Sequence, residues 1–268
     1  MSELDLHGLG IGTWENEAPE QCAESVATAL DAGYRHVDTA QAYENEAAVG
    51  TGIADSPVPR EEVFLATKVH WENLGYDDVL ASVEESLERL GTDYLDLLYV
   101  HWPIDAYDPE ETLAAFEELY ESGTIRHIGL SNFEPRNLDA ARDALGAPVF
   151  AHQFELHPFL QQEELRAYAA EHDHHVVAYS PLARGKVLDD PVLADIAEKH
   201  DASPAAVSLA WLESLDNVAT IPKATSESHI RDNWSSYDVT LDETDKERIA
   251  DLDAGERTVD FGPAPWNQ

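Results

Sequence analysis

Cysteine is nearly missing: Cys22 stands alone in 268 residues. A lone thiol excludes an internal disulfide and a cysteine metal cluster, and it suits a reducing compartment. No apolar run approaches the roughly 18 residues that a membrane span needs. The opening Met-Ser-Glu-Leu-Asp lacks the basic and apolar stretches of a secretory signal. We therefore expect a cytoplasmic protein with no membrane attachment. Lysine is scarce as well, with only Lys68, Lys186, Lys199, Lys223 and Lys246 in the chain.

Sixteen Lys and Arg face 54 Asp and Glu, a net charge of −38. Six Trp and apolar runs throughout argue against a disordered acidic chain. The charge thus belongs on the surface of a folded protein. So much like charge opposes the compact state in dilute buffer, whereas in molar salt the screening length shrinks to about 3 Å. A halophilic host is the expectation. The same field disfavours nucleic acid and anionic membranes as partners. Where lysine is this rare, Lys68 and Lys223, in apolar surroundings, draw particular interest.

No Ser/Pro-rich linker divides the chain, so one domain over 1–268 is expected. A short apolar run followed by a longer amphipathic stretch recurs along it. Strands are expected over 9–13, 36–38, 63–68, 95–101, 125–131, 149–154, 176–180 and 218–222. Helices are expected over 19–32, 45–54, 77–90, 109–122, 135–145, 161–171, 191–200 and 227–235, with further ones at 203–213 and 242–253. Pro135, Pro191 and Pro204 suit first helical turns, and Gly91 and Gly123 suit helix C-caps. Strands alternating with helices imply right-handed βαβ units and a parallel sheet. Eight such units point to a closed (β/α)8 TIM barrel of the α/β class. A doubly wound sheet would call for Gly-x-Gly-x-x-Gly after the first strand, and Gly8-Leu-Gly-Ile-Gly lacks that spacing.

In such barrels chemistry gathers at the C-terminal strand ends. The polar residues there are Asp38, Lys68, His101, Ser131, Asn132, Gln153, Tyr179, Ser180 and Lys223, with Tyr43 in the loop after the second strand. Taken alone, Asp38 and Lys68 read as a structural ion pair and His101 as a barrel-mouth histidine. Together they suit the protonation of an oxygen. A free tyrosine, with a pKa near 10, is a poor donor at neutral pH, and an adjacent ammonium lowers that pKa. A buried lysine needs a carboxylate partner, which Asp38 can supply. His101 can orient the oxygen by a hydrogen bond.

Gly33-Tyr-Arg-His-Val-Asp-Thr-Ala-Gln-Ala-Tyr43-Glu-Asn-Glu, Leu65-Ala-Thr-Lys68, Leu98-Tyr-Val-His101-Trp-Pro and Ile128-Gly-Leu-Ser-Asn132-Phe occur in this order. They resemble the aldo-keto reductases over residues 8–233. The stretch around Asn45-Glu-Ala-Ala-Val-Gly is similar to the bacterial 2,5-diketo-D-gluconate reductase branch, which also acts on small aldehydes such as methylglyoxal. The resemblance implies a catalytic tetrad of Asp38, Tyr43, Lys68 and His101. It implies NADPH as hydride donor to an aldehyde or ketone that Tyr43 protonates. Ser131, Asn132 and Gln153 match residues that hold the nicotinamide carboxamide, and Tyr179 matches the aromatic stacked on that ring. Ser180-Pro181-Leu182-Ala-Arg184-Gly185 matches the loop over the pyrophosphate. Gly12, Thr13, Ile221, Lys223, Ala224, Thr225, His229, Asp232 and Asn233 complete the implied cofactor set. The substrate pocket would be walled by Trp14, Tyr43, His70, Trp71, His101, Trp102 and Trp266. A monomer is implied.

Three positions depart from the family pattern. Ala224 and His229 replace a common serine and arginine, which removes a guanidinium donor for a 2′-phosphate and leaves NADH open beside NADPH. His70 stands where tryptophan is frequent. Two rival functions share the barrel: a lyase forming a Schiff base on Lys68, and a non-catalytic nicotinamide-sensing subunit. His172-Asp-His-His175 invites a metal reading, but it falls in a helix-to-strand turn at the opposite face. It is read as a solvated turn, with no metal expected.

Overall fold

Eight short parallel strands close on one another in chain order to form a barrel. The computed structural model describes Leu6 and residues 8–268; the Met-Ser-Glu-Leu-Asp opening lies outside the described residues. The strands are β1 Gly8–Gly12, β2 His36–Asp38, β3 Phe64–Val69, β4 Leu95–Val100, β5 Ile125–Ser131, β6 Val149–Glu155, β7 His175–Tyr179 and β8 Val218–Thr220. Closure comes from β1 pairing with both β2 and β8. The helices are α1 Pro19–Ala32, α2 Glu46–Asp55, α3 Tyr76–Leu90, α4 Pro109–Glu121, α5 Pro135–Ala144, α6 Glu163–Glu171, α7 Pro191–His200, α8 Pro204–Glu213, α9 Glu227–Trp234 and α10 Glu243–Ala250. Among the described residues no helix is long and apolar enough to cross a membrane.

Nearly all strand positions are buried on both faces, Arg126 on β5 being exposed, and β1, β3 and β4 are mostly apolar as a result. One set of alternating residues fills the barrel: Phe64 and Ala66 on β3, Leu97 and Tyr99 on β4, Ala151 on β6, Val177 on β7. The other set, such as Leu65, Val69, Leu98 and Val100, packs outward beneath the helices with Val83 and Phe116. Burying one such side chain stabilises the fold by about 1.5–3 kcal/mol. Side chains alternate with period two, so Lys68, His101 and Gln153 continue the inward rows of β3, β4 and β6 to the barrel's C-terminal mouth. Core packing and site placement thus share one register.

Local chemistry sets the helix starts. Asp108 accepts from the Glu110 and Glu111 amides, Asp190 from Val192 and Leu193, and Asp242 forms a capping box with Asp245. Gly12 is needed for closure: a Cβ there would meet the Ile221 carbonyl oxygen at 2.6 Å, where β1 runs against the chain leaving β8.

Boundaries expected from sequence shift by up to three residues. The sixth helix starts at Glu163, not 161, because Gln162 is left-handed (φ 47°) and the Gln161 side-chain NH2 donates to the Pro158 and Ile249 carbonyls. The eighth strand stops at Thr220, since Pro222 has no N–H to extend a ladder. Three 3-10 turns absent from the sequence reading, Gln41–Tyr43, Trp71–Asn73 and Ala183–Asp189, carry residues of the mouth.

Candidate active site

At the C-terminal mouth of the barrel lies a cavity of about 260 Å³. Asp38 ends β2 and Lys68 lies on β3, one residue before its end. The Lys68 ammonium donates to Asp38 Oδ1, to the Thr39 carbonyl at 2.8 Å and to the Tyr43 hydroxyl at 3.4 Å. Lys68 is fully buried and Asp38 is 1% exposed. All three ammonium donors are therefore committed, as a buried cation requires. Gln153 donates to the other oxygen of Asp38 at 2.8 Å.

The Tyr43 loop is held from both sides. Asn45 donates to the Thr13 carbonyl at 2.8 Å and accepts from the Thr39 hydroxyl at 2.9 Å, while Gln41 accepts from the His70 amide at 2.9 Å. Edge-on packing of Tyr43 against His101 (ring centroids 5.7 Å apart) aims both side chains into the cavity. Burial pushes the Tyr43 hydroxyl above its ordinary pKa, and Lys68 pulls the other way without overcoming it. This corrects the expectation that the ammonium alone would bring the tyrosine down. Burial also holds His101 well below the usual histidine range, with help from Lys68 and His70. His101 is a neutral imidazole at neutral pH, able to donate from one nitrogen. Burial draws the Lys68 ammonium down, but Asp38 outweighs it and keeps the charge.

Asn132, in a left-handed conformation (φ 63°) just past β5, donates to the His101 carbonyl and the Ser131 hydroxyl at 3.0 Å each. It accepts from the Tyr179 hydroxyl at 2.8 Å. Ser180, also left-handed (φ 49°), follows β7. Two non-glycine residues at positive φ beside one cavity are strain of the kind that collects at functional sites.

Of the residues picked out by sequence, Gly12, Thr13, Trp14, Asp38, Tyr43, Trp71, His101, Trp102, Ser131, Asn132, Gln153, Tyr179, Ser180, Ile221 and Lys223 line this cavity. Pro181, Leu182, Arg184, Gly185, His229, Asp232 and Asn233 line an adjoining groove of about 480 Å³ that shares Trp14, Ser180 and Lys223 with it. Four expected wall or contact residues line neither. His70 stacks on Trp71 at 4.0 Å and accepts from the Glu72 amide, which turns its ring outside the wall. Trp266 packs on Trp102 at 5.5 Å, one layer behind the lining. Ala224 belongs to the core cluster outside the barrel, and Thr225 faces neither space. Lys68 itself reaches the site only through its partners.

Sequence reasoning missed Ala42 and Val259, which complete the lining. Ala42 has a signal in hindsight, since it precedes Tyr43. Val259 lies in a C-terminal stretch without periodicity and carries none. No set of His, Cys, Asp and Glu suited to a metal forms among the described residues. His172 and His174 instead pack around Tyr168.

The groove offers cations and amides suited to a phosphorylated ligand. Lys223 borders both spaces. Arg184 bonds Glu15 at 3.0 Å and lies over the Trp14 ring at 4.7 Å. The start of α9 is capped by Ser226, and its first-turn amides favour an anion. Two acids line the groove: Glu15, paired with Arg184, and Asp232, which accepts from the Ser203 hydroxyl at 2.7 Å.

Comparison with known proteins adds to this geometry. The model of the Aldo/keto reductase family matches residues 8–254. The chain is 43% identical to methylglyoxal reductase DkgB of Escherichia coli O157:H7, over 96% of either chain. It is also 43% identical to glyoxal reductase of Bacillus subtilis, over 98% of this chain and 93% of that one. A solved structure provisionally described as 2,5-diketo-D-gluconic acid reductase B superposes with a TM-score of 0.93 at 35% identity, covering 99% of this chain and 95% of the other.

Proposed function

Because the chain belongs to the aldo/keto reductase family, we propose that it reduces small aldehydes and ketones to alcohols with NADPH, Tyr43 giving the proton. One observation carries the reading: the Tyr43 hydroxyl and the His101 ring face the same cavity, and Lys68, locked to Asp38, stands behind the hydroxyl.

The residues divide the work as follows. A carbonyl oxygen between Tyr43 and His101 receives two hydrogen bonds, one from the phenol and one from the neutral imidazole. As negative charge grows on that oxygen, the phenol proton moves to it, and the phenolate left behind faces the Lys68 ammonium. Asp38 keeps Lys68 charged and in place, and Gln153 fixes the free oxygen of Asp38. Trp71 and Trp102 give this end of the cavity an apolar wall, which strengthens each of these interactions. The dinucleotide, when bound, supplies the hydride to the carbonyl carbon. Ser131, Asn132, Gln153 and Tyr179 would hold its nicotinamide end, and Lys223, Arg184 and the α9 amides its phosphates. Lys223 favours NADPH over NADH, with His229 as a weaker second donor. A Schiff base on Lys68 is a poor fit to a buried ammonium with every donor committed.

We further propose a cytoplasmic protein from a salt-rich setting, on the strength of the −38 charge and the single cysteine, and a monomer on the strength of the family resemblance alone. The test follows NADPH and NADH absorbance in molar salt against a panel of glyoxals, keto-sugars and aldoses. Carbonyl-dependent oxidation, faster with NADPH, is expected. No oxidation with any of them, or undiminished rates in Tyr43→Phe, overturns the reading.

A further inference from the structure

Glu155, the last residue of β6, lies two residues beyond Gln153 on the same inward row and is fully buried. None of the steps above uses it. Its carboxylate collects four donors. Oε1 accepts from the His157 ring at 3.1 Å, from the Thr258 amide at 2.7 Å and from the Thr258 hydroxyl. Oε2 accepts from the Val259 amide at 3.2 Å. A buried carboxylate is costly unless its lone pairs are filled, and here three of the four donors come from one distant stretch of chain.

That stretch forms part of the cavity wall. Val259 lines the cavity. Two residues on, Phe261 packs edge-on against Trp102 at 4.8 Å, and Trp266 joins them from behind. Residues 258–259 lie outside any helix or strand. Their amides are held by the Glu155 carboxylate, while the flanking contacts lie elsewhere: Ala254 and Glu256 donate to the Phe159 carbonyl, and Trp266 to Asp260. The carboxylate thus ties the aliphatic wall of the cavity to the strand that carries Gln153.

We propose that Glu155 is a positioning residue that sets which carbonyl compounds fit, by fixing Val259 and the Phe261–Trp102 contact against the cavity. This rests on the carbonyl-reductase reading given above. Small carbonyls that reach only Tyr43 and His101 depend little on that wall. Larger aromatic ones need it. Burial raises the Glu155 carboxyl, but the bonds from His157 and Thr258 outweigh this and hold it below its ordinary pKa, so the tie persists through neutral pH.

The test compares Glu155→Gln, Glu155→Asp and Thr258→Val with the parent, using propionaldehyde and p-nitrobenzaldehyde with NADPH in molar salt. Limited proteolysis of the C-terminal stretch reports the wall independently of activity. A glutamine offers one carbonyl oxygen and points an amide donor at an N–H. The expected result is KM for p-nitrobenzaldehyde raised roughly tenfold or more, the scale on which a lost wall contact changes recognition. KM for propionaldehyde and kcat for both should change less than about threefold, with cleavage within 255–268 accelerated. Thr258→Val, which removes one bond of the four, should fall between, and Glu155→Asp should recover part of the loss. Equal KM changes for both aldehydes, or unchanged proteolysis in folded Glu155→Gln, overturn the proposal. If Glu155→Gln does not fold, Thr258→Val decides by the same criteria. If the parent oxidises NADPH with neither aldehyde, the reductase reading fails. The tie itself is then judged by proteolysis and by quenching of tryptophan fluorescence with p-nitrobenzaldehyde, whose midpoint should rise in Thr258→Val.

Discussion

Gln153 and Lys68 grip opposite oxygens of one carboxylate, that of Asp38. The residue expected to hold a nicotinamide carboxamide is therefore wired to the ion pair behind Tyr43. One N–H of the Gln153 amide is committed to Asp38, which fixes the side chain and leaves its carbonyl oxygen and its second N–H. In the proposed mechanism, binding and proton delivery meet at Asp38.

Asp38→Asn removes the charge that keeps Lys68 an ammonium while preserving shape. Breaking a buried pair by neutralising one partner costs about 3–5 kcal/mol, and a fully buried Lys68 leaves little room for relaxation. Denaturant unfolding in constant salt should show that loss. The turnover number should fall as well, because an uncharged Lys68 no longer stabilises the phenolate. A variant of parental stability would mean that solvent reaches the ammonium.

Tyr43→Phe deletes the hydroxyl and keeps the ring against His101. Removing a positioned proton donor lowers kcat by about 10²–10⁴-fold. NADPH affinity, read by quenching of tryptophan fluorescence, should stay near the parental value. A parallel fall in both quantities would assign Tyr43 to cofactor binding.

The barrel was legible because almost every strand position is buried and six of the ten helices, α1, α4, α5, α7, α8 and α10, start with a proline or a capping aspartate, signals that are local in sequence. Asp38, Lys68 and His101 were legible for a related reason, since strand periodicity carries them to the mouth in register with the core. His70 was misjudged because its direction depends on stacking with Trp71 and on the Glu72 amide, contacts made inside an unforeseen 3-10 turn. Val259 and Glu155 were invisible for the opposite reason. Their meeting spans 104 residues, and no local pattern announces a pairing of that range.

Stability should rise with salt. Ion pairs at the surface, such as Arg184–Glu15, weaken on screening, yet each is worth under about 1 kcal/mol. Repulsion within a net charge of −38 relaxes at the same time and acts over the whole surface. Thermal unfolding in sodium chloride, from dilute to molar, should shift upward throughout. A falling or flat midpoint would show that paired contacts outweigh the field.

Glu213 offers a test by pH alone. It closes α8, where a negative charge opposes the helix dipole, and burial raises its carboxyl from 4.5 to about 7 despite the Ser236 hydroxyl that donates to it at 3.0 Å. A group raised in the folded state contributes stability that is complete below its unfolded pKa and is lost as pH climbs through the folded one. The loss should thus develop between about pH 4.5 and 7 and remain above it. Glu213→Gln keeps an acceptor for Ser236 and removes the titration. Its advantage over the parent should be absent in acid and reach about 1–2 kcal/mol at pH 8, a figure reduced from the full linkage value because the carboxyl is partly solvated. Paired urea titrations across this range, at fixed salt, measure it directly. An advantage that does not change with pH would place the Glu213 carboxyl in open solvent.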